Sequence, residues 1–519
     1  MKSLLAAAVT TLLLASSNVA SAAPPTCFGR RATIVGSARD DRISGTPGAD
    51  VIVARGGEDE VKGNGGNDRI CGGAGDDRLF GGDGDDRIES GRPGQFELSG
   101  GGAGRDLLVG GGKGGNCDGV WALRGGGGDD RLVAAPGTEC VTMYGGFGDD
   151  RLDTGEGVGS MIGGPDDDVM TGEGTFEGGA GDDVMRGGLF SRVIFDDPAG
   201  VRVDLSRGIA SGAGEGRDAI EGIPYVIATE GDDVVIGDED ANRIAGGAGD
   251  DRLMGGGGPD EIEGNQGDDE VDGGAGDDYV MAAPGNDLVG GGPDDDVLTN
   301  ELSPGLPRDP IGSDFEGGAG RDWLFLSLHP SGSKAVAIDL AGASSVGGEP
   351  LPLSEIEDVR VYGNATVELY GDDGPNVFDA TGSDVVVDGR GGDDVIGAGG
   401  TTNTVEGGAG ADTAEFRGGF PVEVDLEAGT FSQNDSSGTL AGIEGVVGSI
   451  AGDVLRGDEA PNYFEGSWGD DLVEGRGEDD LLHGGLGNDT VDGGEGADTI
   501  DGGEGTDACS NGETVSGCE

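Results

Sequence analysis

The chain has 519 residues, with 117 glycines and 20 prolines against only 4% aromatic residues, which excludes a large conventional hydrophobic core. Its 102 acids outweigh 31 bases, giving a formal net charge of -71. Nucleic acid and anionic membranes are therefore poor partners, and no nucleic-acid partner is expected.

Met1 to Ala22 reads as a secretory signal peptide. Lys2 supplies the positive end, Leu4 to Leu14 the apolar run, and Ala20-Ser21-Ala22 a small-residue cleavage site. That apolar run is too short for a membrane span, and no later stretch reads as one. The mature chain is expected to begin near Ala23.

A nine-residue period follows. Cys27 to Val35 holds an aliphatic, Ile34, without an acid, and reads as an end cap. From Gly36 to Glu89 six nonapeptides share one register. Their sixth positions are Asp41, Asp50, Asp59, Asp68, Asp77 and Asp86, and their eighth are Ile43, Ile52, Val61, Ile70, Leu79 and Ile88. From Ser90 to Gly188 the register breaks and restarts. Units from Gly101, Gly125, Gly145, Gly163 and Gly178 carry Asp106, Asp130, Asp150, Asp168 and Asp183. This stretch reads as the same stack with outward loops.

Ala228 to Thr299 is the most regular stretch, eight nonapeptides without a slip. Its sixth positions are Asp233, Asn242, Asp251, Asp260, Asp269, Asp278, Asp287 and Asp296. A further unit from Gly317 carries Asp322. Scattered units from Gly371, Gly389 and Gly407 carry Asn376, Asp394 and Asp412. The last array, Gly448 to Ser510, carries Asp453, Asn462, Asp471, Asp480, Asp489, Asp498 and Asp507. Asparagine in the second unit of both long arrays points to a neutral ligand or an empty site there.

Three inserts interrupt the arrays. Each has an alternating strand-like core, at Val201 to Leu205, Val336 to Leu340 and Val422 to Leu426. Each is followed by isoleucine beside an acid, at Ile220-Glu221, Ile356-Glu357 and Ile443-Glu444. The plain reading is a spacer that continues the β-stack; the sharper one is a ligand-binding face.

The repeat is G-G-x-G-x-D-x-U-x, with U a large aliphatic. Glycines allow positive φ and a tight turn over the first six residues. The last three suit a short strand with one inward side chain. One unit cannot bury its aliphatic alone, so the units must stack as a solenoid. Stacking brings the sixth-position carboxylates to about 5 Å, where bare pairs repel by roughly 1–3 kcal/mol. A hard dication reverses that sign. Calcium suits carboxylate and carbonyl oxygens in flexible geometry.

These repeats resemble the RTX, or haemolysin-type, calcium-binding family. The resemblance covers most of the chain and is specific at this copy number. It implies an all-β fold, a parallel β-roll or β-solenoid with two nonapeptides per turn. It also implies multiple calcium ions between stacked loops, held by the sixth-position aspartates named above and by main-chain carbonyls. The family's classical export signal is C-terminal and uncleaved, so this chain departs from it in carrying an N-terminal one.

The expected organisation is a signal peptide (1–22), a first array (23–194), an insert (195–227), a second array (228–325), an insert (326–370), partial repeats (371–415), an insert (416–447), a third array (448–510) and a disulfide-tied cap (511–519). If each ion needs two turns one coil apart, the long arrays hold roughly four, six and five sites. Six cysteines in an exported chain favour disulfides, with Cys27–Cys71, Cys117–Cys140 and Cys509–Cys518 expected by proximity. No H-E-x-x-H or G-x-S-x-G is present, and there are only two histidines, His329 and His483. The expectation is a secreted, non-catalytic calcium-binding protein with a structural or adhesive role, in contact with a cell-surface or matrix polymer. The competing expectation is a carbohydrate-processing or ligand-binding solenoid, with Trp323, Trp468 or Tyr225 as stacking residues. Arginines at position seven, such as Arg69 and Arg252, should point outward and pair across turns.

Overall fold

The computed structural model describes residues 24–92, 96–110, 120–135, 138, 140–212, 214–302, 313–328 and 335–518. The signal-peptide segment, Cys117 and His329 lie outside the described residues. Every described element is a β-strand. The chain divides into two units, Met1–Val141 and Thr142–Glu519.

In the N-terminal unit each strand pairs in parallel with the strand two further along the chain, so two nonapeptides make one coil. Eighth-position side chains stack in register, Ile34 on Ile52, Ile70, Ile88, Leu108 and Leu132. From Ile52 onward these side chains are fully buried. The strands run from position seven through position three of the next unit, as in Arg69–Ala74 and Arg78–Asp83. An antiparallel pair, Thr26–Cys27 with Arg30–Arg31, starts the unit, and a Cys27–Cys71 disulfide ties it down.

The second unit is also a parallel solenoid with two seams. One seam runs without a break from Met161 through Phe176, Val193, Val226 and Ile244 to Phe464, Leu482, Ile500 and Val515. The other is interrupted three times, once at each insert. There the chain folds into a three-stranded antiparallel meander before rejoining the seam. In the first insert Val201–Asp204 pairs with Ile209–Gly212, which pairs with Gly216–Glu221. The second and third inserts repeat this at Val336–Asp339 and Val422–Asp425. The alternation of the insert cores places Val201, Val203, Val336, Ile338, Val422 and Val424 inside. The antiparallel reversal was not foreseen; alternation specifies a half-buried strand but not the direction of its neighbour.

Cys509 occupies an eighth position, stacked on Val491, and is bonded to Cys518. Cys140 is also disulfide-bonded. Position-seven arginines pair with acids one coil away, as in Arg42–Glu60 and Arg252–Glu270.

Candidate metal centres

Asp251 shows how a sixth-position acid is held. Its side chain is buried beside the seam. Its Oδ1 accepts the amide N–H of Asp233 at 2.8 Å, and its own N–H donates to Oδ1 of Asp269 at 2.9 Å. Each acid thus takes an amide from the coil before and gives one to the coil after. A second, exposed ladder runs the other way at position five, where the Asp250 and Asp268 amides donate to Asp232 and Asp250.

Oδ2 of Asp251 is buried without a hydrogen-bond partner. The same orphan oxygen recurs at Asp59, Asp68, Asp77, Asp86 and Asp106 in the N-terminal unit. In the second unit it recurs at Asp168, Asp183, Asp260, Asp269, Asp278, Asp296, Asp322, Asp394, Asp412, Asp471, Asp480, Asp489, Asp498 and Asp507. Asp130 and Asp150 are equally buried and lie in the same ladders, Asp130 accepting the Asp106 amide and Asp150 donating to Asp168. Burial pushes six of them up: Asp77 and Asp269 to about 6, Asp251, Asp278 and Asp471 to about 7, Asp168 to about 8. The amide bond at Oδ1 opposes the rise, and neighbouring acids add to it.

A buried charged oxygen without a partner is costly, and so many in phase require a shared partner. The loop geometry supplies the other half. A β-carbon placed on Gly264 would lie 2.6 Å from Oδ2 of Asp269 and 3.0 Å from the Ala282 carbonyl of the next coil. On Gly72 it would lie 2.5 Å from Oδ2 of Asp77 and 2.6 Å from the Ser90 carbonyl. First-position residues thus bring an orphan carboxylate oxygen and a main-chain carbonyl around one small space. Among the described residues no group of three or more His, Cys, Asp or Glu side chains converges. A cation here must therefore draw on main-chain carbonyls, and an all-oxygen set of this kind fits calcium rather than zinc.

Not every loop has this form. In the glycine loops position two has positive φ, as at Gly247 (114°), Gly256 (108°), Asn265 (74°) and Gly274 (106°). In seven loops position two is Ser, Thr or Asp without positive φ, and its N–H turns onto the sixth residue of its own loop. Oδ2 of Asp41, Asp50, Asp233 and Asp453 accepts the amides of Ser37, Thr46, Thr229 and Ser449 at 2.5–2.7 Å. Asn242, Asn376 and Asn462 accept those of Asp238, Asp372 and Asp458 in the same way. These four aspartates, expected to be ligands, are already satisfied by protein. Asp287 also differs, since its Oδ2 accepts the Ser313 hydroxyl at 3.1 Å.

The ladder also continues where the repeat motif does not. Asp218, inside the first insert, accepts the Asp183 amide and carries an orphan Oδ2. Glu357, Glu444 and Glu513 accept the amides of Asp322, Asp412 and Asp498. In each glutamate loop the residue two places earlier has a φ of 53–57° (Glu355, Gly442 and Asn511). The signal that finds all four is an acid two residues before an aliphatic: Ile220, Val359, Val446 and Val515. In the N-terminal unit Glu97 and then Trp121 fill the sixth position after Asp77. Glu97 is buried with both carboxylate oxygens unpartnered, and burial pushes its carboxyl to about 8. Of the aromatics named as stacking candidates, Trp468 is exposed; Trp323 packs edge-on against Phe325, and Tyr225 carries Arg243 over its ring. His483 is half-buried near Tyr463.

Coils of two nonapeptides, each with a buried acid facing carbonyls, define a repeat protein of the calcium-binding β-solenoid class. The family described as the RTX calcium-binding nonapeptide repeat (4 copies) matches residues 35–92, 141–161, 175–194, 227–298, 370–401 and 447–509 in overlapping segments, just over half of the chain. The chain belongs to that family. No curated protein matches it. Asp106, Asp130, Asp322 and Asp412 fall outside the matched segments yet occupy the same ladders.

Proposed function

We propose that calcium ions occupy the glycine loops, held by the orphan Oδ2 atoms and by main-chain carbonyls, and that binding and folding are one event. The carrying observation is the in-phase row of buried, unpartnered carboxylate oxygens. Without a cation that row opposes folding; with one it becomes the staple between coils. Extracellular calcium modules typically bind at about 10⁻⁴–10⁻³ M, so such a chain stays open inside the cell and sets after export. The leader-like Met1–Ala22 segment supports export, and the near-uniform repeat supports a non-catalytic structural or adhesive role.

The test is far-UV circular dichroism of the chelated protein titrated with calcium, with magnesium as control. A cooperative gain of β signal with calcium alone, weakened in the Asp251→Ala/Asp269→Ala variant, supports the reading. A chain folded without calcium or indifferent to it overturns it.

One observation favours a ligand face beside the second insert. Arg360 lies 4.9–5.9 Å from the ring centroids of Trp323, Phe325 and Tyr362, and pairs with Asp379 at 3.1 Å. Aromatic faces beside a fixed polar network suit an uncharged glycan. Loss of polysaccharide binding in Tyr362→Ala with unchanged calcium binding would support this use; equal binding would remove it.

A further inference from the structure

The loops without positive φ are not scattered. In the N-terminal unit they are the first two, with Asp41 and Asp50. In the second unit they follow the inserts directly: Asp233 and Asn242 after the first, Asn376 after the second, Asp453 and Asn462 after the third. Every one is satisfied by its own position-two amide, with hydroxyl help from Thr46, Thr229 and Ser449. In the asparagine loops position two forms an Asx turn, as Asp238 and Asp458 accept the amides of Asp240 and Ala460. None of these sixth residues has an orphan oxygen left for an ion.

We infer that each insert and the loops after it form a calcium-independent block on which the calcium-dependent coils are laid down. This rests on the calcium reading of the glycine loops given above. The cause is the side chain at position two, whose oxygen accepts the amide of position four in all seven loops, from Ser37 with Arg39 to Asp458 with Ala460. That local turn holds the position-two amide on the sixth residue of its own loop. Where position two makes no such turn, as at Gly247, Asn64, Asn265, Ser467 and Arg476, its φ is positive and Oδ2 of the sixth acid has no partner. The insert beneath adds a hydrophobic core of its own; in the first insert the orphan Oδ2 of Asp218 lies at the joint with the coil before, whose Asp183 amide the same carboxylate accepts. In the third insert Val422, Val424, Phe431 and Leu440 are buried, and the Phe416 and Phe431 rings meet at 4.8 Å. The meander joins the next coil directly, Val424 on Leu455 and Val203 on Val235. Ordering the first coil is the slow, costly step in a stack whose units stabilise one another. A block that needs no ion removes that step from the calcium-driven part.

Hydrogen–deuterium exchange of the full chain, with calcium and with chelator, tests this segment by segment. The expected result is protection at 201–245 and 422–465 in both conditions, and at 246–299 and 466–507 only with calcium. If the first pair exchanges as fast as the second without calcium, while both gain protection with it, the inference is overturned and the calcium reading stands. If no segment responds to calcium, the calcium reading itself fails and takes the inference with it. Two variants isolate the position-two hydroxyl. Thr229→Ala should make protection of 228–245 calcium-dependent; Thr229→Ser, which keeps the hydroxyl, should not. Identical behaviour of the two variants would overturn the inference.

Discussion

Asp233 and Asp251 hold the same phase one coil apart, and one amide joins them. Asp233 is closed on itself by Thr229, with amide and hydroxyl at 2.7 and 3.0 Å from Oδ2. Asp251 has Gly247 in that place, and its Oδ2 faces no donor. The difference is the position-two hydroxyl, which also accepts the Gly231 amide and so closes the loop on its own acid. It decides whether a buried carboxylate is neutralised by its own backbone or must wait for an ion.

Several measurements break or sharpen this contrast. Removing calcium should have the largest effect, with β signal lost from the glycine loops and retained in the loops after the inserts; exchange mass spectrometry reads both. Acid comes next. The metal-free carboxyls of Asp251, Asp278 and Asp296 sit near 7, above the ordinary 3.8. Folding therefore takes up protons, a contribution fully present below about pH 4 and lost as pH rises through 7. The chelated protein should show more β signal at pH 5.5 than at pH 8. With calcium present the sign inverts: protons compete for Oδ2, and the calcium midpoint should rise as pH falls below about 7. Equal signals at the two pH values would show that these carboxyls are not buried as described.

Leu253→Ala empties a fully buried eighth position and should cost about 2–5 kcal/mol, read as a lower denaturation midpoint in saturating calcium. Gly256→Val forces a branched side chain onto φ 108°, with its β-carbon 2.5 Å from the Asp238 carbonyl. It should cost about 2 kcal/mol and raise the calcium midpoint several-fold. Arg252→Ala removes an exposed pair with Glu270 and should change stability by less than about 1 kcal/mol.

The seam was legible because its signal is simple. A large aliphatic two residues after an acid, every nine residues, has one inward direction, and Ile52, Leu253 and Ile500 all take it. The disulfides Cys27–Cys71 and Cys509–Cys518 followed from proximity. The acid row was legible as a phase but not as a sorting. Ser37, Thr46, Thr229 and Ser449 stood at position two in plain view, but their consequence depends on where an amide points, which composition does not reveal. Asp218, Glu357, Glu444 and Glu513 escaped because the inserts shift the count and a motif anchored on glycine loses its register there. Spacings of 35, 32 and 15 residues within the two ladders of sixth positions are invisible to a nine-residue ruler.

The two amide ladders, running in opposite senses at positions five and six, make a coil such as that of Asp250 and Asp251 the same above and below: it offers a donor and an acceptor to both neighbours. Lifting one out, or copying one in, leaves the flanking coils meeting the bonds they already had. In hereditary terms, an in-frame gain or loss of eighteen codons is close to neutral for this fold, while a gain of nine swaps the seams. The length of such a protein is then set by copy number, and it should drift between lineages in steps of one coil.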